Sequence, residues 1–216
     1  MRSIARRELV AGPAGAIECA LDAPFGFPAE DGSTVPRGIA LVSHPHPLYG
    51  GALDNKVTQT LARTFVDLGY LALRPNFRGV GASAGAHDNG NGETDDLLCV
   101  LEHLHGLYGA LPTVLAGFSF GAFVQTRVAE RLAAKGAAAE RMVLVGVAVK
   151  RYAARPVAAD TLVIHGEVDA TVPLADVLDW ARPQELPVVV VPGADHFFHR
   201  RLHVLRAIVS SNWRGA

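Results

Sequence analysis

The chain has 216 residues, half of them hydrophobic and 19% charged, and its formal net charge at pH 7 is -1. A disordered chain would be poorer in apolar residues and further from neutrality, and a binder of nucleic acid or anionic lipid would carry an excess of Lys and Arg. Here 20 basic residues face 21 acidic ones, so neither a nucleic-acid nor a membrane partner is expected.

The length suits one large α/β domain over residues 1–216 and is short for two. No stretch approaches the roughly 20 apolar residues of a membrane span, and the arginines near Met1 lead into no apolar run of signal-peptide length. The expectation is a soluble, cytoplasmic protein. Cys19 and Cys99 are too few for a metal framework, and in such a compartment they read as buried reduced thiols.

In chain order, R-R-E-L-V near Leu9 and A-I-E-C-A-L near Glu18 flank A-G-P-A-G and predict an antiparallel hairpin at a sheet edge. Apolar runs follow around Ile39, Leu73, Val114, Leu144, Val163 and Val190. They lack polar alternation, the mark of strands buried on both faces. Helical spacing runs from Asn55 to Leu68, Thr94 to Leu107, Ala122 to Ala134 and Phe197 to Ser211. Strand and helix in alternation mean right-handed βαβ units and a mostly parallel sheet covered on both faces. The stretch S-A-G-A-H-D-N-G-N-G, residues 83–92, is the most flexible loop on composition.

Ligands of an open parallel sheet sit beyond the carboxyl ends of its strands. G-F-S-F-G, residues 117–121, stands where the Val114 strand ends and the next helix begins. A sharp turn there strains the backbone of Ser119 and exposes its hydroxyl, with Gly117 and Gly121 removing side chains that would collide. A serine hydroxyl is a weak nucleophile, so it needs a base and a group that orients the base. E-V-D-A-T-V-P places Asp169 after the Val163 strand, and A-D-H-F-F places His196 after the Val190 strand. The order Ser119, Asp169, His196 suits a nucleophile on this kind of turn. Asp195 and Asp160 compete for the acid role. His199 and His203 stand one helical turn apart but lack an acidic ligand motif, so no metal is expected there.

G-F-S-F-G, H-G-E-V-D-A-T-V-P, P-G-A-D-H-F-F, S-H-P-H-P-L-Y-G-G and N-F-R-G-V-G-A-S together resemble the α/β-hydrolase superfamily over nearly the full chain. Within it, the chain resembles the compact bacterial hydrolases related to dienelactone hydrolases, which use Cys where this chain has Ser119. The resemblance implies a three-layer αβα fold, a serine acyl-enzyme and no cofactor. Only a dozen residues, Ala148 to Ala159, lie where relatives insert a lid, so no lid domain is expected.

An acyl-transfer site also needs N–H donors for the developing oxyanion. Phe120 supplies one at the start of its helix. The other should come from S-H-P-H-P-L-Y-G-G, where Pro45 and Pro47 have no N–H. His46 and Leu48 remain, and Leu48 is favoured because H-P-L-Y-G-G aligns with the superfamily's H-G-x-x-G. Read as metal ligands, H-P-H lacks carboxylates or cysteines nearby.

N-F-R-G-V-G-A-S lacks the G-K-[ST] ending of a phosphate loop, and Arg78 reads as a brace between loops. Leu48, Tyr49, Phe118, Phe120, Val172 and Phe197 are the expected apolar walls. Lys150, Arg151 and Arg155 form either a solvated basic loop or a rim for an anionic substrate group. The expected activity is hydrolysis of small carboxylic esters or thioesters on a small-molecule acyl substrate. A noncatalytic scaffold for ligand or partner binding is the other reading.

Overall fold

The structure, a computed structural model, describes residues 6–27 and 35–213. A hairpin of β1 (Arg6–Gly12) and β2 (Gly15–Asp22) precedes β3 (Ile39–Ser43), α1 (Lys56–Asp67), β4 (Leu71–Pro75), α2 (Asn91–Tyr108), β5 (Thr113–Phe118) and α3 (Phe120–Ala134). Then come β6 (Arg141–Val145), β7 (Leu162–Gly166), α4 (Leu174–Ala181), β8 (Val188–Val191) and α5 (Leu202–Trp213). The eight strands form one sheet in the order β1-β2-β4-β3-β5-β6-β7-β8. β1 and β2 run antiparallel, as does β2 against β4, and the remaining neighbours are parallel.

Every residue of β3, β4, β5 and β7 is buried, which is why these runs show no polar alternation. On one face Val57, Leu61 and Phe65 of α1 meet Leu205, Val209 and Trp213 of α5. On the other, Leu97, Leu101 and Leu104 of α2 pack with Val124 and Val128 of α3. The result is the three-layer α/β-hydrolase architecture. Between β6 and β7, residues 146–161 hold only turns, so no lid covers the carboxyl edge.

Two elements depart from the periodic pattern. α5 starts at Leu202, not Phe197, because Phe198 and Arg200 take φ of 53° and 60°, which no α-helix accommodates. α4 follows Pro173 for only eight residues and buries Val177 and Ala181. Two turns are too short a window for the 3.6-residue period to stand out.

The glycine-rich stretch 83–92 is held at several points. Ala84 N–H donates to the Ala16 carbonyl (2.8 Å), and buried Glu93 accepts from Asp88 N–H (2.9 Å) and Gly90 N–H (2.8 Å). Arg78 braces this region, pairing with both oxygens of Asp96 at 2.6 and 3.0 Å. Both cysteines are free, but only Cys19 is buried, and burial pushes its thiol up to about 12; Cys99 is half-buried on α2. The shortfall follows from its place on the flank of a surface helix, where period and composition do not fix depth.

The register pairs Ser43 with Gly117 and Gly166 with Val191, which aligns the carboxyl ends of β3, β5, β7 and β8 along one edge. Gln125, buried in α3, ties this edge together, its Nε2 lying within hydrogen-bond reach of the carbonyls of Leu41 and Ala116 and of Ser43 Oγ. α3 therefore lies directly against β3 and β5. A Cβ on Gly117 would sit 2.6 Å from the Ala122 nitrogen, and one on Gly121 would collide with the carbonyl oxygens of Ser43 and His44. Since these are backbone atoms, the strain of Gly121→Ala has no flexible side chain to absorb it. We expect that variant to lose about 1–3 kcal/mol, the usual range for overpacking, and to show a lower urea midpoint with unchanged m-value. An unaltered midpoint would contradict the close approach.

Candidate active site

Ser119 joins β5 to α3 with φ 57° and ψ −117°, a backbone conformation that costs a non-glycine residue about 1–3 kcal/mol. Neighbouring bonds hold it there. Its N–H donates to the Val145 carbonyl (2.8 Å), and its carbonyl accepts from Phe123 N–H (3.2 Å). Although Ser119 occupies the N-cap of α3, its side chain makes no capping bond. Oγ instead lies 3.0 Å from His196 Nε2.

His196 stands in the turn between β8 and α5, and its Nδ1 is 2.6 Å from Asp169 Oδ2. Asp169, in the turn after β7, is held by Thr171 N–H (2.9 Å) and Val172 N–H (2.8 Å), both donating to Oδ1. His165 Nε2 is 3.5 Å from Oδ2. A carboxylate so oriented favours the proton on His196 Nδ1, leaving the Nε2 lone pair to face the serine hydroxyl. All three side chains are buried. The arrangement can move a proton from Ser119 to His196.

The rival residues are placed otherwise. Asp195 bonds His199 Nδ1 at 2.6 Å, which holds its carboxyl below the usual carboxylate range, and exposed Asp160 stands before β7, at the amino end of that strand. Among the described residues, no three His, Cys, Asp or Glu side chains converge as a metal site.

The serine opens into a cavity of about 510 Å³. Tyr49, Phe120, Val172 and Phe197 line it. Phe118 does not. It is fully buried beneath His196, ring centroids 4.8 Å apart, because alternation along β5 turns it to the face opposite α3. Leu48 also departs from expectation: its side chain is exposed, and its N–H donates to His46 Nδ1 (3.2 Å) inside a short 3-10 turn, Pro47–Tyr49. His46 lines the cavity, and its backbone N–H has no acceptor among the hydrogen bonds of the described residues.

The frame of H-P-H-P is set by His44, the fully buried member of the pair. Its Nε2 accepts from Phe77 N–H (2.9 Å) while Nδ1 faces the Pro45 carbonyl (2.6 Å). Phe120 N–H, at the first position of α3, has no intrahelical acceptor.

Of the three basic residues, Arg155 pairs with Glu130 (3.2 Å) and is not part of the cavity wall, whereas Lys150 and Arg151 are. Tyr152, which the sequence pattern does not single out, lines the cavity beside them. Nothing local marks it, since its partner His46 is 106 positions away. The bonds on Asp169 were legible in principle, because an aspartate accepting from the N–H groups two and three residues on is an Asx turn.

A family model described as serine aminopeptidase, S33 (Hydrolase_4) matches residues 48–164, more than half of the chain. The chain belongs to this family of serine hydrolases. XC6422 from Xanthomonas campestris, described as an α/β serine hydrolase without lid, is 34% identical with a TM-score of 0.85, covering 99% of this chain and 95% of that one. An α/β serine hydrolase homologue from Coxiella burnetii is 34% identical with a TM-score of 0.84, covering 96% of each chain. The uncharacterized protein RP471 of Rickettsia prowazekii is 47% identical over 94 residues, 43% of this chain and 40% of that protein, so the match spans less than half of this curated relative. Among the described residues, no helix of this hydrolase is long and apolar enough to cross a membrane.

The histidine beneath the loop after β3 makes the fold sensitive to acid. Burial lowers His44 from its ordinary 6.5 to about 4, and desolvation also lowers His165. The native state then binds fewer protons than the unfolded chain below pH 6.5, so stability present above that pH is lost as pH falls toward 4. His44 alone contributes a loss of about 2 kcal/mol between roughly pH 7 and pH 5. His46 is also lowered to about 4 by burial, so the His44 share is read as the difference between wild type and His44→Gln in urea unfolding at the two pH values; the same pH dependence in both would contradict a buried neutral ring.

Proposed function

We propose that the protein hydrolyses small carboxylic esters or thioesters through an acyl-enzyme on Ser119. The observation that carries the reading is the bonded line Ser119–His196–Asp169 opening into a cavity with no lid above it. Ser119 Oγ attacks the carbonyl carbon while His196 Nε2 takes its proton, and Asp169 steadies the imidazolium. The oxygen that becomes negative accepts from the N–H groups of Phe120 and His46, which act from a preorganised backbone. The leaving alkoxide or thiolate departs with the proton held on His196. Water then gives a proton to His196 and attacks the acyl carbon, and the bond to Ser119 Oγ breaks as His196 returns that proton to the serine and the acid is released.

Aminopeptidase chemistry, suggested by the family's description, would want a carboxylate to receive a free ammonium group. Asp176 in the cavity wall is engaged with Lys150 (3.3 Å), and Arg151 beside it brings a positive charge, which disfavours an ammonium. Short acyl groups suit the open cavity, whereas a long neutral chain would leave apolar surface in water.

A fluorophosphonate probe should label the wild type and fail to label Ser119→Ala, and that variant should fold yet lose essentially all turnover of a short aryl ester. Labelling elsewhere, or no labelling with turnover intact, would sink the mechanism, and a folded protein with neither would return the chain to the scaffold reading. Asp169→Asn should lower kcat by about 10⁴-fold through loss of the oriented tautomer, while Asp195→Asn should stay close to wild type. The reverse pattern would reassign the acid.

A further inference from the structure

The cavity wall contains a polar group whose hydrogen is unused among the described residues. Leu48 N–H donates to His46 Nδ1, so that nitrogen carries no proton, and in the neutral ring Nε2 must carry it. Nε2 lies 2.6 Å from Tyr152 Oη, which makes the histidine the donor and the phenol the acceptor in this bond. The phenolic hydrogen of Tyr152 is thereby displaced to the other side of Oη, and it has no acceptor among the hydrogen bonds of the described residues.

Tyr152 cannot swing away from this role, because its ring stacks on Phe123 (centroids 4.8 Å, 20° between planes) and meets Phe120 edge-on (5.1 Å). Next to it stands a held cation. The Arg151 guanidinium lies 5.5 Å from the Tyr49 ring centroid and 5.9 Å from that of Tyr152, and Nη1 donates to Tyr49 Oη at 3.0 Å. No carboxylate of the described residues pairs with it, whereas Lys150 beside it is paired with Asp176.

An O–H donor on a packed ring and a guanidinium without a carboxylate partner on one wall form a recognition pair for a carboxylate. We propose that Tyr152 and Arg151 select substrates whose acyl part carries a carboxylate, such as hemiesters of short dicarboxylic acids; this rests on the Ser119 ester reading. The side of the cavity assigns the carboxylate to the acyl part. A leaving oxygen must lie at His196 Nε2 to receive its proton, and His196 is flanked by Phe118 and Phe197. Tyr152 sits instead against His46 and Phe120, whose backbone N–H groups face the acyl oxygen in the proposed mechanism.

The test compares phenyl hydrogen succinate with its neutral isostere, phenyl 4-methylpentanoate, and reads the ratio of their kcat/KM values. The ratio should favour the hemiester by about tenfold or more at low ionic strength, the scale of one hydrogen bond to a charged group. Tyr152→Phe and Arg151→Gln should each cut the ratio about threefold to tenfold. Salt raised from about 0.02 M to about 0.5 M should shrink the arginine's share more than the tyrosine's.

A role confined to holding His46 in place would slow both esters alike, so variants that lower both rates and leave the ratio untouched would overturn the proposal. A wild-type ratio near one, or one that favours the neutral ester, would overturn it as well while leaving Ser119 as the nucleophile. Turnover of neither ester together with no fluorophosphonate labelling would remove the ester reading and this proposal with it.

Discussion

Between β5 and α3 the chain changes from strand to helix at a single residue, and the helix then lies so close to the sheet that no Cβ fits at Gly117 or Gly121. That contact fixes three things at once. It forces Ser119 into positive φ, it presents Oγ at the carboxyl edge without a capping bond, and it opens α3 at Phe120 with an N–H free of any intrahelical acceptor. The strain at Ser119 is tolerated because the surrounding sheet is continuous on both sides, with β3 and β6 in register against β5.

The other side chains of the site are held by bonds that leave little freedom. Asp169 is buried, and its carboxylate is held by two backbone N–H groups and stands 2.6 Å from His196 Nδ1. His44 and His46, two residues apart, have opposite duties. His44 is buried as a neutral brace between the loop after β3 and Phe77, while His46 faces the cavity and orients Tyr152. A similar division separates the cations: Lys150 and Arg155 are each paired with a carboxylate, and Arg151 is held by aromatic rings and a phenol.

Openness follows from the short connection between β6 and β7. With only turns over residues 146–161, the segment that carries Lys150, Arg151 and Tyr152 forms a wall of the cavity instead of a cover. The cavity beside Ser119 is thereby left uncovered, and one short segment supplies both charged and aromatic side chains to its wall.

Much of this architecture is written locally. The buried strands carry their own apolar runs, the strand-to-helix turn needs glycines at two fixed positions, and Asp169 and His196 follow directly after strand ends, so their common edge is implied by the parallel order. What the sequence could not decide by itself depends on residues distant along the chain. H-P-H-P admits two frames, and the fold buries His44 against Phe77, while Leu48 N–H donates to the His46 ring and His46 N–H has no acceptor among the described residues. Phe118 and Phe120 flank Ser119 symmetrically in sequence, but the passage from strand to helix sends Phe118 beneath His196 and Phe120 to the cavity. Periodicity reports which face a side chain takes within its own element, whereas the Tyr152–His46 bond joins loops that only the folded sheet brings together.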